Sequence, residues 1–291
     1  MTKRDAALHG GLFVACCITT TLFGGIAFGA TLMTILACHE LGHYVTGRWR
    51  KVDVSLPYFI PLPPQLSLGT MGAVIQMRSP IHDRGALFDV GASGPIAGLV
   101  VAIPMLVVGL SLSHVGPINP GGQIEGNSLL YALLKLAVFG RWLPGEGVDV
   151  QLHPMGLAAW VGLLVTMINL LPIGQLDGGH VARAALGDRH ERWSARLHVA
   201  LPLIGLMIGT AMFLVAREAG RDLKGALFYA SNGMLPWGIW ALMLGWMRRS
   251  AGEYHPAVSD KPLDAKRKVF AVGMLLVFVL IATPAPFTPV L

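Results

Sequence analysis

Apolar residues gather in seven stretches, near residues 7–28, 32–46, 86–112, 155–171, 199–215, 226–246 and 269–282, with polar segments between them. A helix crossing the ~30 Å hydrocarbon layer of a bilayer takes about 20 residues. Several stretches are shorter, so tilted helices, or helices broken near a site, are predicted. The fold class that follows is an all-α polytopic membrane protein with about seven transmembrane helices. One segment departs from the pattern. Leu56-Pro57-Tyr58-Phe59-Ile60-Pro61-Leu62-Pro63-Pro64 cannot form a regular helix, because each proline removes a ladder hydrogen bond. Residues 69–77 then read as a short strand or a small re-entrant β-hairpin returning to the membrane face. Two roles stay open for it: a structural loop, or a strand edge that captures an extended peptide. Residues 113–154 are polar, rich in Gly and Pro and without strong periodicity; they read as a loop too short for an inserted soluble domain.

Composition agrees with the pattern. The chain has 291 residues, 54% hydrophobic and 13% charged, against about 25% charged in soluble domains. Its net charge of +6 comes from residues at the ends of apolar runs, which orients helices in a bilayer and offers no stripe for nucleic acid. Lys3 and Arg4, then Arg48, Arg50 and Lys51, then Arg183, Arg189, Arg192 and Arg196, then Arg248, Arg249, Lys261, Lys266, Arg267 and Lys268 all fall on one side of a seven-span arrangement. This side is assigned to the cytoplasm, with the N-terminus there, in a bacterial cytoplasmic membrane. A rival reading takes residues 1–30 as a signal peptide ending in Ala27-Phe28-Gly29-Ala30; the retained span is preferred. Cys16, Cys17 and Cys38 lie in apolar stretches with no CxxC spacing and read as small buried hydrophobes.

His39-Glu40-Leu41-Gly42-His43 interrupts the second stretch. HExxH on a helix sets two imidazoles at i and i+4 on one face, the spacing that holds zinc, with the glutamate beside the metal as general base for a bound water. Ionisable groups at the bilayer centre cost about 2.5–3.5 kcal/mol each, so a chain that keeps them there uses them. Nine residues separate His39 from Arg48, which puts the metal about 10–14 Å inside the cytoplasmic end at ~1.5 Å per residue. A catalytic zinc takes a third protein ligand. Thr46 and Trp49 stand where a metzincin would have Gly and His, and the next glutamate is Glu125, in the polar segment. Asp177 and Asp89 remain. Asp177 is favoured, because Pro172 and Gly174 break the helix before it and Gly178-Gly179 allow close approach. Asp89 reads as an interfacial helix-start residue. His180 reads as a hydrogen-bond donor, with direct ligation the lesser option.

HExxH in one apolar stretch, followed by Asn169, Pro172, Asp177 and Gly178 at the spacing NxxPxxxxDG, resembles the site-2 protease family of intramembrane zinc metalloproteases. Gly94-Pro95 with Gly98 is similar to that family's small-residue motif, and the 56–77 segment resembles compact bacterial members and their plastid relatives. The resemblance covers about residues 32–186. It implies a single membrane-embedded metalloprotease domain over 1–291, with a catalytic core at 32–186 and further spans at 199–282, lacking PDZ and CBS modules. It also implies one Zn2+ on His39, His43 and Asp177, with Glu40 as base; Asn169, one turn from the helix break, reads as an extra donor to the oxyanion or to the unwound substrate backbone, with a helix-packing amide as the alternative. The partners implied are a membrane protein carrying a transmembrane span and the surrounding lipid. The implied activity is regulated intramembrane proteolysis, with a metal-ion transporter or a non-catalytic span-binding protein as alternatives. Oligomeric state is not legible.

Overall fold

The structure, a computed structural model, describes residues 3–65, 67–119 and 121–290. The side chains of Lys3 and Arg4, part of the charge pattern above, lie outside the described residues. Eight helices and six short strands run in the order α1 (Lys3–Trp49), β1 (Tyr58–Pro61), β2 (Thr70–Val74), α2 (Arg84–Ser111), β3 (His114–Pro117), β4 (Gln123–Glu125), α3 (Leu129–Phe139), β5 (Val148–Gln151), α4 (Pro154–Asn169), α5 (Asp177–Leu186), α6 (Arg189–Glu218), α7 (Leu223–Ala251), α8 (Ala265–Ile281) and β6 (Phe287–Pro289), counted among the described residues.

Three of these helices are long and apolar enough to cross a membrane by length and composition: Asp5–Trp49, Arg84–Ser111 and Arg189–Glu218. Much of the outer surface is apolar, with Ile26 79%, Leu242 77% and Val269 72% exposed. In water such a surface would drive association; against acyl chains it is matched. α1 absorbs the first two apolar stretches. Gly25 lies inside it with φ 82° and ψ 174°, a conformation open to glycine. A Cβ placed on Gly29 would lie 2.9 Å from the Thr21 backbone nitrogen, whereas residues eight apart in a straight helix are about 12 Å apart. The chain therefore reverses at Gly25, and the two arms of α1 pack on each other.

α2 is the central helix, packed against α1, α4 and α5. Asp83 caps its N-terminus, accepting from the Ala86 N–H at 2.6 Å. Leu87, Ala102, Leu106 and Leu110 of α2 are fully buried in the main core with Phe28, Leu32 and Ile35 of α1 and Ala158, Trp160 and Met167 of α4. Asp89 is not the helix-start residue expected. It lies inside α2 and bonds the guanidinium groups of Arg50, just past α1, and of Arg267, in α8, the latter at 2.7 and 2.8 Å. One carboxylate thus ties three helices. α6 and α7 pack on each other and build a smaller apolar core with Leu171 and Ile173.

β1 and β2 form an antiparallel hairpin, Tyr58 opposite Val74 and Phe59 opposite Ala73, extended by Val54 opposite Met77. It lies on the first arm of α1: Phe59 meets Phe13 edge-on at 5.0 Å, and Thr19 donates to the Gly69 carbonyl at 2.6 Å. Residues 113–154 are more ordered than a polar loop. β3 pairs with β5 and β4 with β6, and between them α3 carries Lys135, which is fully buried against Asp149 at 2.9 Å and Glu125 at 3.8 Å. Burial pushes the Glu125 carboxyl up from its ordinary value, while the Tyr131 hydroxyl, 2.7 Å away, acts in the other direction.

Candidate metal centre

The second arm of α1 presents His39 and His43 one turn apart, both buried, as is Glu40 between them. α4 ends at Asn169, and residues 170–176 turn through Gly174 at φ +61° before α5 opens with Asp177. The turn is tight because two glycines follow. A Cβ on Gly178 would overlap the Leu170 carbonyl, and one on Gly179 the Gly174 carbonyl. Asp177 is thereby carried back to α1, 138 residues earlier in the chain.

His39 Nε2 lies 3.0 Å and His43 Nε2 3.2 Å from the two Asp177 carboxylate oxygens, and the two Nε2 atoms are 3.2 Å apart. His43 Nδ1 donates to the Val90 carbonyl at 2.7 Å, so in the neutral ring Nε2 is a lone pair. A carboxylate and an imidazole lone pair converging on one point call for a cation. Donors bound at about 2.0–2.1 Å around a tetrahedron lie about 3.3 Å apart, close to the spacing seen. The three residues form the one His/Cys/Asp/Glu group among the described residues whose ligand atoms all lie within 4.8 Å, a group that could hold a metal ion.

α2 closes the site from beneath, and its glycines explain how. A Cβ on Gly94 would overlap the His43 ring, and one on Gly98 would lie 3.2 Å from His39 Nδ1. A cavity of about 380 Å³ opens beside the histidines, lined by Glu40, Asn169, Gln175, Asp177 and His180 and by residues 73–77 of the hairpin. Asn169 Nδ2 is 3.5 Å from His39 Nε2. His180 lines the same cavity but is not part of the metal-holding group, and its Nδ1 is 2.7 Å from His255 Nε2. Three further histidines, His190, His198 and His255, belong to no motif in the sequence. In the structure His190 and His255 are buried and adjoin His180 or each other, and His198 bonds Tyr254. A lone histidine between Tyr and Pro carries no motif, so only the tertiary packing reveals it.

With HExxH on one helix and an Asp-Gly turn completing a group of three side chains that could hold a metal ion, the site defines a membrane-embedded member of the HExxH metallopeptidases. The chain belongs to Peptidase family M50, the site-2 protease family, which it matches over residues 27–215. It is similar to "Probable zinc metalloprotease EGY1, chloroplastic" of Arabidopsis thaliana, 34% identical over 75% of this chain and 36% of that protein. The protein of that name from Oryza sativa subsp. japonica is 36% identical over 75% of this chain and 34% of its own length. "Probable zinc metalloprotease EGY2, chloroplastic" of Arabidopsis thaliana is 26% identical over 98% of this chain and 46% of its own length. The chain thus spans about a third to under a half of the length of these three relatives. These relatives overturn the bacterial cytoplasmic membrane expected from the charge pattern: they are chloroplastic plant proteins and point to a chloroplast membrane instead. The physical reason for the error is plain. Hydropathy reports bilayer thickness and basic residues report sidedness; neither identifies the organelle.

Proposed function

We propose that this chain is a zinc metalloprotease that hydrolyses a peptide bond within or near a transmembrane segment of a membrane-protein substrate, as in regulated intramembrane proteolysis. The observation that carries the proposal is the convergence of His39, His43 and Asp177 on one point, with Glu40 buried beside them in a polar cavity of an otherwise apolar protein. His39, His43 and Asp177 would hold one Zn2+, which when bound would lower the pKa of a water to about 7 and polarise a carbonyl. Glu40 accepts the proton of the attacking water and delivers it to the leaving amine. Asn169, whose amide nitrogen already points into the ligand group, donates to the oxygen where negative charge grows.

Substrate shape follows from the walls. A helix hides its carbonyls in its own ladder, so the span being cut unwinds before attack. The hairpin supplies a place for the unwound stretch. Gln76 hydrogen-bonds Ser55 through its own N–H and C=O, which turns the main-chain groups of its neighbours Ile75 and Met77 towards the other edge, at the cavity. An extended peptide adds there as a strand. The hairpin re-enters the membrane on this reading, and the apolar helices make up about seven spans. The single ligand group among the described residues argues against a transporter, which hands ions between sites.

The test is Glu40→Gln. The variant should retain one zinc per chain by elemental analysis and lose cleavage of a single-span substrate in proteoliposomes. Cleavage at the native rate would sink the assignment.

A further inference from the structure

One wall of the cavity has no part in the chemistry above. His180 lines it, one helical turn beyond Asp177. Behind it lies His255, from the segment joining α7 and α8 and outside the family-matched residues. Both are buried, and their rings are perpendicular, with His180 Nδ1 2.7 Å from His255 Nε2.

The direction of this bond can be worked out. His255 Nδ1 lies 2.9 Å from the Pro256 carbonyl oxygen, which can only accept, so the hydrogen is on Nδ1. A neutral imidazole has one N–H, so His255 Nε2 is a lone pair. Burial keeps the ring neutral, pushing its pKa down to about 4. His180 Nδ1 must then be the donor. By the same rule His180 Nε2 is a lone pair. The segment that brings His255 here is pinned on both sides. Tyr254 N–H donates to Glu191 at 3.1 Å, its hydroxyl bonds His198 at 2.7 Å, and Ser259 N–H donates to the His82 carbonyl at 2.8 Å.

We propose that His180 Nε2 accepts a hydrogen bond from a backbone N–H of the extended peptide in the cavity, and that His255 is the positioning residue that keeps it an acceptor. The identity of the ligand rests on the protease reading; the tautomer does not. A strand paired along the hairpin has its remaining amides on the far edge. A buried N–H left without a partner weakens binding, because its bond to water is lost and not replaced. Glu40 is engaged with the water, so a neutral acceptor elsewhere in the cavity lining meets this need without adding charge.

Two substitutions separate the role from simple packing. His255→Gln sets a carbonyl oxygen near the place of Nε2, and His255→Phe keeps the ring shape without an acceptor. Each is made in zinc-loaded, full-length Glu40→Gln protein with ¹⁵N-labelled histidine. Ring-nitrogen NMR should show His180 as the Nδ1–H tautomer in the parent and in His255→Gln, and Nε2–H appearing in His255→Phe. The probe is a fluorescent Leu-rich single-span peptide with a central Gly-Pro break. Its Kd should rise about tenfold in His255→Phe and return to within about threefold of the parent in His255→Gln, with zinc content equal in all three. An Nε2–H tautomer in the parent overturns the proposal, as does equal affinity in the two variants. If the peptide binds but protein with intact Glu40 cuts nothing, the protease reading fails, and tautomer and Kd still decide this one.

Discussion

At Gly94 one methyl group is too many. Its Cβ would occupy the space of the His43 ring, whereas that of Gly98 only touches His39. Gly94→Ala should therefore push His43 off its bond to Val90 and weaken zinc binding about 10–100-fold, the usual cost of losing a ligand's supporting contacts. Gly98→Ala should do much less. Competition with a zinc-responsive dye measures both, and equal losses would mean that α1 and α2 separate more easily than their packing indicates. The convergence of His39, His43 and Asp177 was legible in the sequence, since the two histidines have helical spacing and Asp177 follows a helix break flanked by glycines. The tautomer-setting partners were not. His43 depends on a main-chain carbonyl at Val90, and His180 on a histidine 75 residues away. Neither leaves a local pattern.

Among elements, those governed by local chemistry were readable. Prolines and glycines announced the hairpin, and apolar runs announced the long helices. The 113–154 segment was missed because its strands are three or four residues long and pair over distance: Gln123 lies opposite Pro289, and His114 opposite Gln151. Period-2 alternation cannot register in so short a run. What fixes this segment is Lys135, buried between two carboxylates. Lys135→Met leaves Asp149 and Glu125 without a counter-charge and should destabilise the protein by about 3–5 kcal/mol. Denaturant unfolding in detergent, followed by circular dichroism, measures it. A loss below 1 kcal/mol would mean that water reaches the carboxylates.

Over the whole molecule, the metal site and the fold's stability are separable. The main core runs through α1, α2 and α4, and the smaller one through α6 and α7; neither is built on the ligand residues. Chelation should abolish cleavage with helical circular dichroism unchanged, unlike small zinc domains that unfold without metal. Loss of helix on chelation would make the metal structural. The same layout has a consequence for biogenesis. His39 and Asp177 are 138 residues apart, so at about 5–20 residues per second a ribosome makes the second roughly 7–28 s after the first. Until then the nascent chain carries HExxH without Asp177, the third residue of the candidate metal group, and His255 comes later still. If the chain cuts membrane spans as proposed above, it is therefore inert while its own spans, and those of its neighbours at the insertion site, are being threaded into the bilayer.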